Sequence, residues 1–344
     1  MSGTVAPSFD LDAEGKEKGY LIIGDSTNES GWANFHVPII KIKNGDGPTV
    51  LVLAGNHGDE YEGQFAAAEL ARELTPGQIQ GRVIIIPCLS QAASKTGTRH
   101  WPTGVNFNRS FPGDENGAVS AKLAHFISTE LFPISDAVMD MHSGGRGMYF
   151  IPSSHMVWAS DKSQRAKMIS SMISWNTSHH LIFPEQPGTN PASLLPGDAE
   201  RQGKDIYTTE LGGAGVATFE TTKIAKDGLG NALRHSGVIP TPPRTREELG
   251  LSAPVFLDMR GSNSYVHAMD AGVYENLIPV GEGVNEGEPV GLIHNMDHPS
   301  APAQEVLAPQ SGVVGVMRGF PRVLIGDLVA VIGKPYGSIE ELPE

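Results

Sequence analysis

The tightest constraint on this chain comes from two runs that are too short for helices and too apolar for exposed elements. Thr49-Val50-Leu51-Val52-Leu53-Ala54 and Val83-Ile84-Ile85-Ile86 carry no charge and are rich in β-branched residues. A strand with one wet face alternates polar and apolar side chains, whereas a strand buried on both faces is apolar throughout. Both runs therefore read as strands of a sheet covered on two sides, and such cover comes from crossover helices. The helical period appears where it is needed. Ala67, Leu70, Ala71 and Leu74 share one face of a segment from Glu62 to Leu74. Val119, Leu123, Phe126, Ile127 and Leu131 mark a second helix, and Asp136 to Met141 reads as a strand ending at His142. Strand and helix signals go on alternating to Glu210. The expected fold class is α/β, a mostly parallel sheet with helices on both faces.

The pattern changes at Pro240-Thr241-Pro242-Pro243-Arg244, a linker composition. Beyond it the helical period is gone. Short apolar runs such as Gly312-Val313-Val314-Gly315-Val316 are separated by Gly, Pro and Asn, as in a small all-β barrel. The expected organisation is a catalytic domain over 1–239, whose first 18 residues form a loose arm, a linker over 240–253, and a β-barrel domain over 254–344.

Composition narrows the partners. Asp plus Glu number 39 against 25 Lys plus Arg, a net charge of −14. Nucleic acid and anionic lipid both call for a basic face, so neither is an expected partner. No apolar run reaches the roughly 18–20 residues of a membrane span. The opening residues are polar, with no apolar core of a signal peptide. The expected setting is the cytoplasm. Cys88 is the single cysteine; it follows the apolar run 83–86 and reads as a core thiol.

Four motifs carry chemistry. His57-Gly58-Asp59-Glu60 follows the first buried strand, and ligands of open α/β sheets bind at the carboxyl ends of strands. Asp140-Met141-His142-Ser143-Gly144-Gly145 ends a second strand in a histidine. Two histidines and a glutamate at strand ends make a coherent metal-ligand set, since catalytic zinc commonly takes two His and one Glu. Each motif alone has an ordinary reading, because His-x-x-Glu arises by chance. The third motif, Asn106-Phe107-Asn108-Arg109-Ser110-Phe111-Pro112-Gly113, lies in a stretch of about thirty residues without clear periodicity, a length typical of functional loops. Arg99 precedes it, and a guanidinium matches a carboxylate or polarises a carbonyl. The fourth, Thr208-Thr209-Glu210-Leu211-Gly212-Gly213, places Glu210 at another strand end, where a carboxylate beside a metal can act as general base.

In this order the four motifs resemble the succinylglutamate desuccinylase/aspartoacylase family, zinc hydrolases of the zinc-carboxypeptidase fold. The resemblance runs from about residue 45 to 237. It implies one zinc ion per chain, held by His57, Glu60 and His142. It implies Glu210 as general base and later proton donor to the leaving amine, and Arg99 as the group that polarises the scissile carbonyl. Asn108 and Arg109 match the pair that grips the substrate's α-carboxylate. The implied partner is a small N-acyl amino acid, with self-association left open. The blocks fit the branch that deacetylates N-α-acetyl-L-2,4-diaminobutyrate in ectoine degradation. N-acetylaspartate-type and N-succinylglutamate-type substrates are the alternatives, and peptide carboxy-termini a more distant one.

Carboxypeptidase relatives often place Asp two residues before the Asn-Arg pair, to orient a zinc-bound histidine. Here that position is Asn106. Asp140 lies two residues before His142, on the same strand face. Either Asp140 or Asn106 is expected to supply the contact that zinc-bound histidines normally have. The C-terminal segment resembles a lipoyl/biotinyl barrel. Its matching turn, His294-Asn295-Met296-Asp297-His298-Pro299, has no lysine for a carrier role. The barrel is expected to cap the active-site mouth or to form an oligomer contact.

Overall fold

The computed structural model describes residues 4–184 and 190–343. In chain order its main elements begin with Val5–Pro7 (β1), Gly15–Asp25 (β2), Ala33–Asn44 (β3), Thr49–Ala54 (β4), Glu62–Glu73 (α1), Gly81–Ile86 (β5), Gln91–Thr96 (α2) and Val119–Phe126 (α3). There follow Ala137–His142 (β6), Met148–Phe150 (β7), Ser153–Val157 (β8), Lys162–Ser174 (α4), His179–Phe183 (β9), Leu195–Arg201 (α5), Asp205–Glu210 (β10) and Phe219–His235 (α6). From Val255–Asp258 (β11) onward the described chain carries strands and 3-10 turns without an α-helix: Tyr265–His267 (β12), Gly272–Asn276 (β13), Gly283–Val284 (β14), Pro289–His294 (β15), Gln304–Leu307 (β16), Gly312–Arg318 (β17), Arg322–Val323 (β18) and Leu328–Tyr336 (β19).

The main path of the large sheet runs β1-β2-β3-β5-β4-β6-β10-β8-β9-β11-β19-β17-β14. It is mixed, which corrects the expectation of a mostly parallel sheet. Parallel pairing is confined to β5-β4-β6-β10 and to β8-β9-β11. β8 runs antiparallel beside β10, and β2, β3 and β5 are joined as an antiparallel ribbon. The apolar runs identify strands buried on both faces but say nothing about strand direction at the margins.

The two-sided cover is as expected, and the strand period explains it. Val50, Val52 and Ala54 of β4 face α1 and α6, packing with Ala66, Ala67, Ala225 and Leu229. Leu51 and Leu53 face the other way, into a core with Leu123, Phe126, Leu195 and Ala199. The second expected helix ends as α3 at Phe126 and continues as a π turn over Ile127–Leu131.

From Val5 on, the described part of the expected loose arm is paired into the sheet. β1 pairs antiparallel with β2, and Val5 is buried. Lys16, Glu17 and Lys18 look solvent-seeking in sequence, yet they sit in register with Ile42, Lys41 and Ile40 of β3. Lys41 is fully buried and has partners there: Glu17 at 3.0 Å and the carbonyl of Ala13. Residues near the expected linker are also fastened, since Arg244 exchanges backbone hydrogen bonds with the side-chain amide of Asn231 in α6 at 2.8 and 3.0 Å. No helix of the described residues is long and apolar enough to cross a membrane.

Candidate metal centre and active site

β4 and β6 are parallel neighbours, so the segments leaving their carboxyl ends emerge side by side. That adjacency brings His57 and Glu60, which follow β4, to His142, which ends β6. The Glu60 carboxylate lies between the rings. Its Oε1 is 2.7 Å from His57 Nδ1 and its Oε2 is 2.7 Å from His142 Nδ1. The three side chains are buried, and one ligand atom of each lies within 4.8 Å of the others. Two imidazoles and a carboxylate at that separation are a donor set for a divalent metal.

The far ring nitrogens are occupied. His142 Nε2 meets Asp140 Oδ2 at 3.0 Å, and His57 Nε2 meets Asn106 Oδ1 at 3.2 Å. Both residues expected as alternatives for one contact are thus present, each on a different histidine. Such partners fix the ring orientation that a metal needs. Asn56, which the sequence reading passed over, adds a third link. Its Nδ2 donates to Asp140 Oδ2 at 3.3 Å.

Backbone geometry holds the two loops together. Gly58 allows α2 to approach, since a Cβ there would lie 2.3 Å from the backbone of Ala93 and Ser94. Gly145 has φ +54 and faces Asp59, whose Oδ2 accepts the Arg146 amide at 2.8 Å. The Ser143 amide donates to Glu60 Oε2 at 3.2 Å.

Electrostatics follow from burial and pairing. Burial alone would raise Glu60, but the two imidazoles outweigh it and hold the carboxyl well below the usual range. Burial also works against a charge on His142; Asp140 and Glu60 overcome it and raise that ring. For His57 burial wins, and its pKa falls. Glu210 stands in register beside His142. Burial first, and the negative charge of Glu60 second, push it up to about 8.

The long loop is ordered by aromatic packing. Phe107 and Phe111 point inward, Trp101 stacks on Phe107 at 6.0 Å between centroids, and Phe111 stacks on Phe132 at 6.2 Å. With the rings inside, Asn108 and Arg109 reach a cavity of about 700 Å³ whose lining also includes His57, His142, Glu210 and Arg99. Arg99 Nη1 donates to Glu60 Oε1 at 3.2 Å, and Asn108 Oδ1 accepts the Leu195 amide at 3.1 Å. The loop also holds α2, a helix too short for its period to show in sequence. The sequence reading offered the C-terminal barrel as a cap of the active-site mouth or an oligomer contact, but named none of its lining residues. Arg260, Ser262, Tyr265, His267, Leu328 and Val331 of the C-terminal segment line the same cavity, as do His155 and Thr208 of the sheet. Cys88 packs against Gly55, and burial raises its thiol to about 11, which makes it a poor nucleophile.

A mixed sheet with a His-Glu-His cluster at its strand ends, a buried carboxylate beside it and cationic side chains at the rim defines a metallohydrolase architecture. The catalytic-domain model of the succinylglutamate desuccinylase/aspartoacylase family matches residues 46–236, and the chain belongs to that family. A relative from Halomonas elongata, N-alpha-acetyl-L-2,4-diaminobutyric acid deacetylase, is 34% identical over 338 residues, spanning 97% of this chain and 96% of that protein. Among solved structures, a succinylglutamate desuccinylase/aspartoacylase from Rhodobacter sphaeroides superposes with a TM-score of 0.90 at 37% identity, over 97% of this chain and 100% of that one. The product-bound ectoine utilization protein EutE (DoeB) from Ruegeria pomeroyi gives 0.91 at 32% identity, over 97% and 100%.

Proposed function

We propose that this protein is a zinc-dependent amidohydrolase that releases acetate from N-α-acetyl-L-2,4-diaminobutyrate, a step of ectoine degradation. The observation that carries the reading is the convergence of His57, Glu60, His142, Glu210, Arg99 and Arg109 on one cavity. The chain is also alike over nearly its whole length to a deacetylase named for that substrate.

His57, Glu60 and His142 would hold the ion. Zinc, when bound, supplies a Lewis acid and a water acidified toward about pH 7. Glu210 takes the proton of the attacking water and later delivers it to the departing α-amine. Arg99 donates to the acyl oxygen as negative charge builds there. Asn108 and Arg109 hold the free carboxylate, fixing the scissile amide against Glu210. Asp140 and Asn106 hold the rings of His142 and His57 in their ligating orientation.

A second reading, an N-acyl amino acid with an acidic side chain, draws on Arg260 at the cavity wall. That guanidinium is already engaged by Asp258, through Nε and Nη2 at 2.9 Å each, so the diamino substrate is preferred. The deciding experiment is acetate release from N-α-acetyl-L-2,4-diaminobutyrate by zinc-loaded protein, with a chelator control. Chelator-sensitive release is expected. Release only from N-acetylaspartate or N-succinylglutamate would move the substrate to the second reading, and no hydrolysis of any N-acyl amino acid would overturn the proposal.

A further inference from the structure

The cavity extends past the ligating side chains along the same face of the sheet. β6, β10 and β8 are neighbours, and their registers set side chains in rows. His142, Glu210 and Ser153 stand beside one another in the first row, and Asp140, Thr208 and His155 in the next. The first row carries the chemistry proposed above. The far end of the second row has no part in it.

Thr208 and His155 both line the cavity. The Thr208 hydroxyl is engaged, donating to the His155 carbonyl at 2.6 Å. The His155 imidazole is not. Neither ring nitrogen has a hydrogen-bond partner among the described residues, and both are shut off from bulk solvent. Phe183 packs edge-on against the ring, 5.4 Å between centroids. Leaving a buried polar atom without a partner costs about 1–3 kcal/mol, so a ring with two idle nitrogens calls for an explanation. A half turn of the imidazole exchanges its nitrogens with its carbons and offers a second set of directions for a ligand. Burial pushes its pKa down to about 3, so the ring is neutral and keeps one nitrogen as an acceptor.

The rest of the lining narrows the ligand group. Among the described lining residues Glu210 is the one carboxylate, and it is assigned to the reaction; Arg99, Arg109 and Arg260 are cations. An ammonium needs an acceptor away from these. The second row provides one, and Asp140 Oδ1, buried and without a partner, adds negative charge to the same row. His155 lies one strand across from Glu210 and two residues along, a diagonal of about 8 Å between backbone positions. A three-bond side chain and a hydrogen bond of about 2.9 Å, together with the reach of the imidazole that lines the cavity, span it.

We infer that His155 is the side-chain recognition residue, accepting a hydrogen bond from the terminal ammonium of a 2,4-diamino acid whose α-acylamide lies at the His57–Glu60–His142 cluster. This rests on the proposed function.

The test compares N-α-acetyl-L-2,4-diaminobutyrate with N-acetyl-L-2-aminobutyrate, which lacks the terminal amine, on wild type, His155→Leu and His155→Gln. His155→Leu should lower kcat/KM for the diamino substrate about tenfold more than for the aminobutyrate, mainly through KM, the scale of one hydrogen bond to a charged group. His155→Gln, which keeps an acceptor, should restore most of that difference. Equal losses on both substrates, or no added loss on the diamino substrate, would overturn the assignment. Calorimetric binding of free L-2,4-diaminobutyrate and L-2-aminobutyrate to the same zinc-loaded proteins separates the two layers. A wild type that hydrolyses neither substrate nor other N-acyl amino acids overturns the proposed function. The His155 assignment is then judged on binding alone: it stands if His155→Leu loses the preference for the diamino acid and falls if the preference persists.

Discussion

Glu210 and Asp140 both stand near His142, but their surroundings separate their roles. Glu210 Oε2 is buried without a hydrogen-bond partner, while Asp140 Oδ2 meets the ring at 3.0 Å. Glu210→Gln should therefore keep about one zinc per chain by elemental analysis while turnover falls by about 10²–10⁴, the scale of a lost general base. Wild-type turnover in that variant would remove Glu210 from the mechanism. Asp140→Asn should act on the metal instead, weakening zinc affinity by about 10–100-fold in a chelator competition. Asn106→Ala should do the same through His57, and unchanged affinity in either variant would show that its contact orients nothing. The His57–Glu60–His142 cluster was legible in the sequence because His142 ends a strand and the other two follow one within six residues, where local motifs and position coincide. Asn56 was not, because an asparagine earns its role only from Asp140, 84 residues away in the chain.

Among the elements, the segment between β5 and α3 is the least regular and the most dependent on packing. Its side chains toward the cavity are polar, so its shape comes from the rings behind them. Phe107 is fully buried between Trp101 and Phe111. Phe107→Ala should cost about 3–5 kcal/mol, read from the denaturant midpoint, and should raise KM because Asn108 and Arg109 lose their support. A midpoint equal to wild type would mean that the loop is held by other contacts. The sequence marked this stretch as functional from its length and from the Asn108-Arg109 pair and Arg99 within it. It could not mark α2, whose six residues give less than two turns of period and which ends on Gly97 at φ +64. Nor did it reveal the first part of β2, ahead of the strand-like run Tyr20-Leu21-Ile22-Ile23, because Lys16, Glu17 and Lys18 read as solvated charge until Lys41 is seen buried against them. Charge patterns predict exposure only when no partner waits across the ladder.

For the whole molecule, the C-terminal strands are joined to the catalytic sheet through β9 and β11, whose pairing is parallel. That joint explains how residues more than 250 positions into the chain come to line a cavity begun by β4, a relation that no local pattern encodes. His180 sits in the joint. It is opposite Phe256 in the register, 5.0 Å from that ring, and its Nδ1 meets Ser154 Oγ at 2.7 Å. Burial pushes its pKa down to about 3, the nearby charge of Arg246 adding to the effect. The folded state thus holds this ring neutral, while the unfolded chain protonates it near pH 6.5. Between those values the unfolded state binds more protons, so its stability contribution is intact above pH 6.5 and is lost as the pH falls toward 3. The slope is about 1.4 kcal/mol per pH unit, or about 2 kcal/mol between pH 6.5 and 5. Urea midpoints of wild type and His180→Gln across that range should converge as the medium becomes more acid, because the variant has no ring to protonate. Parallel curves would show that His180 is already charged in the folded protein, and that the joint tolerates a cation.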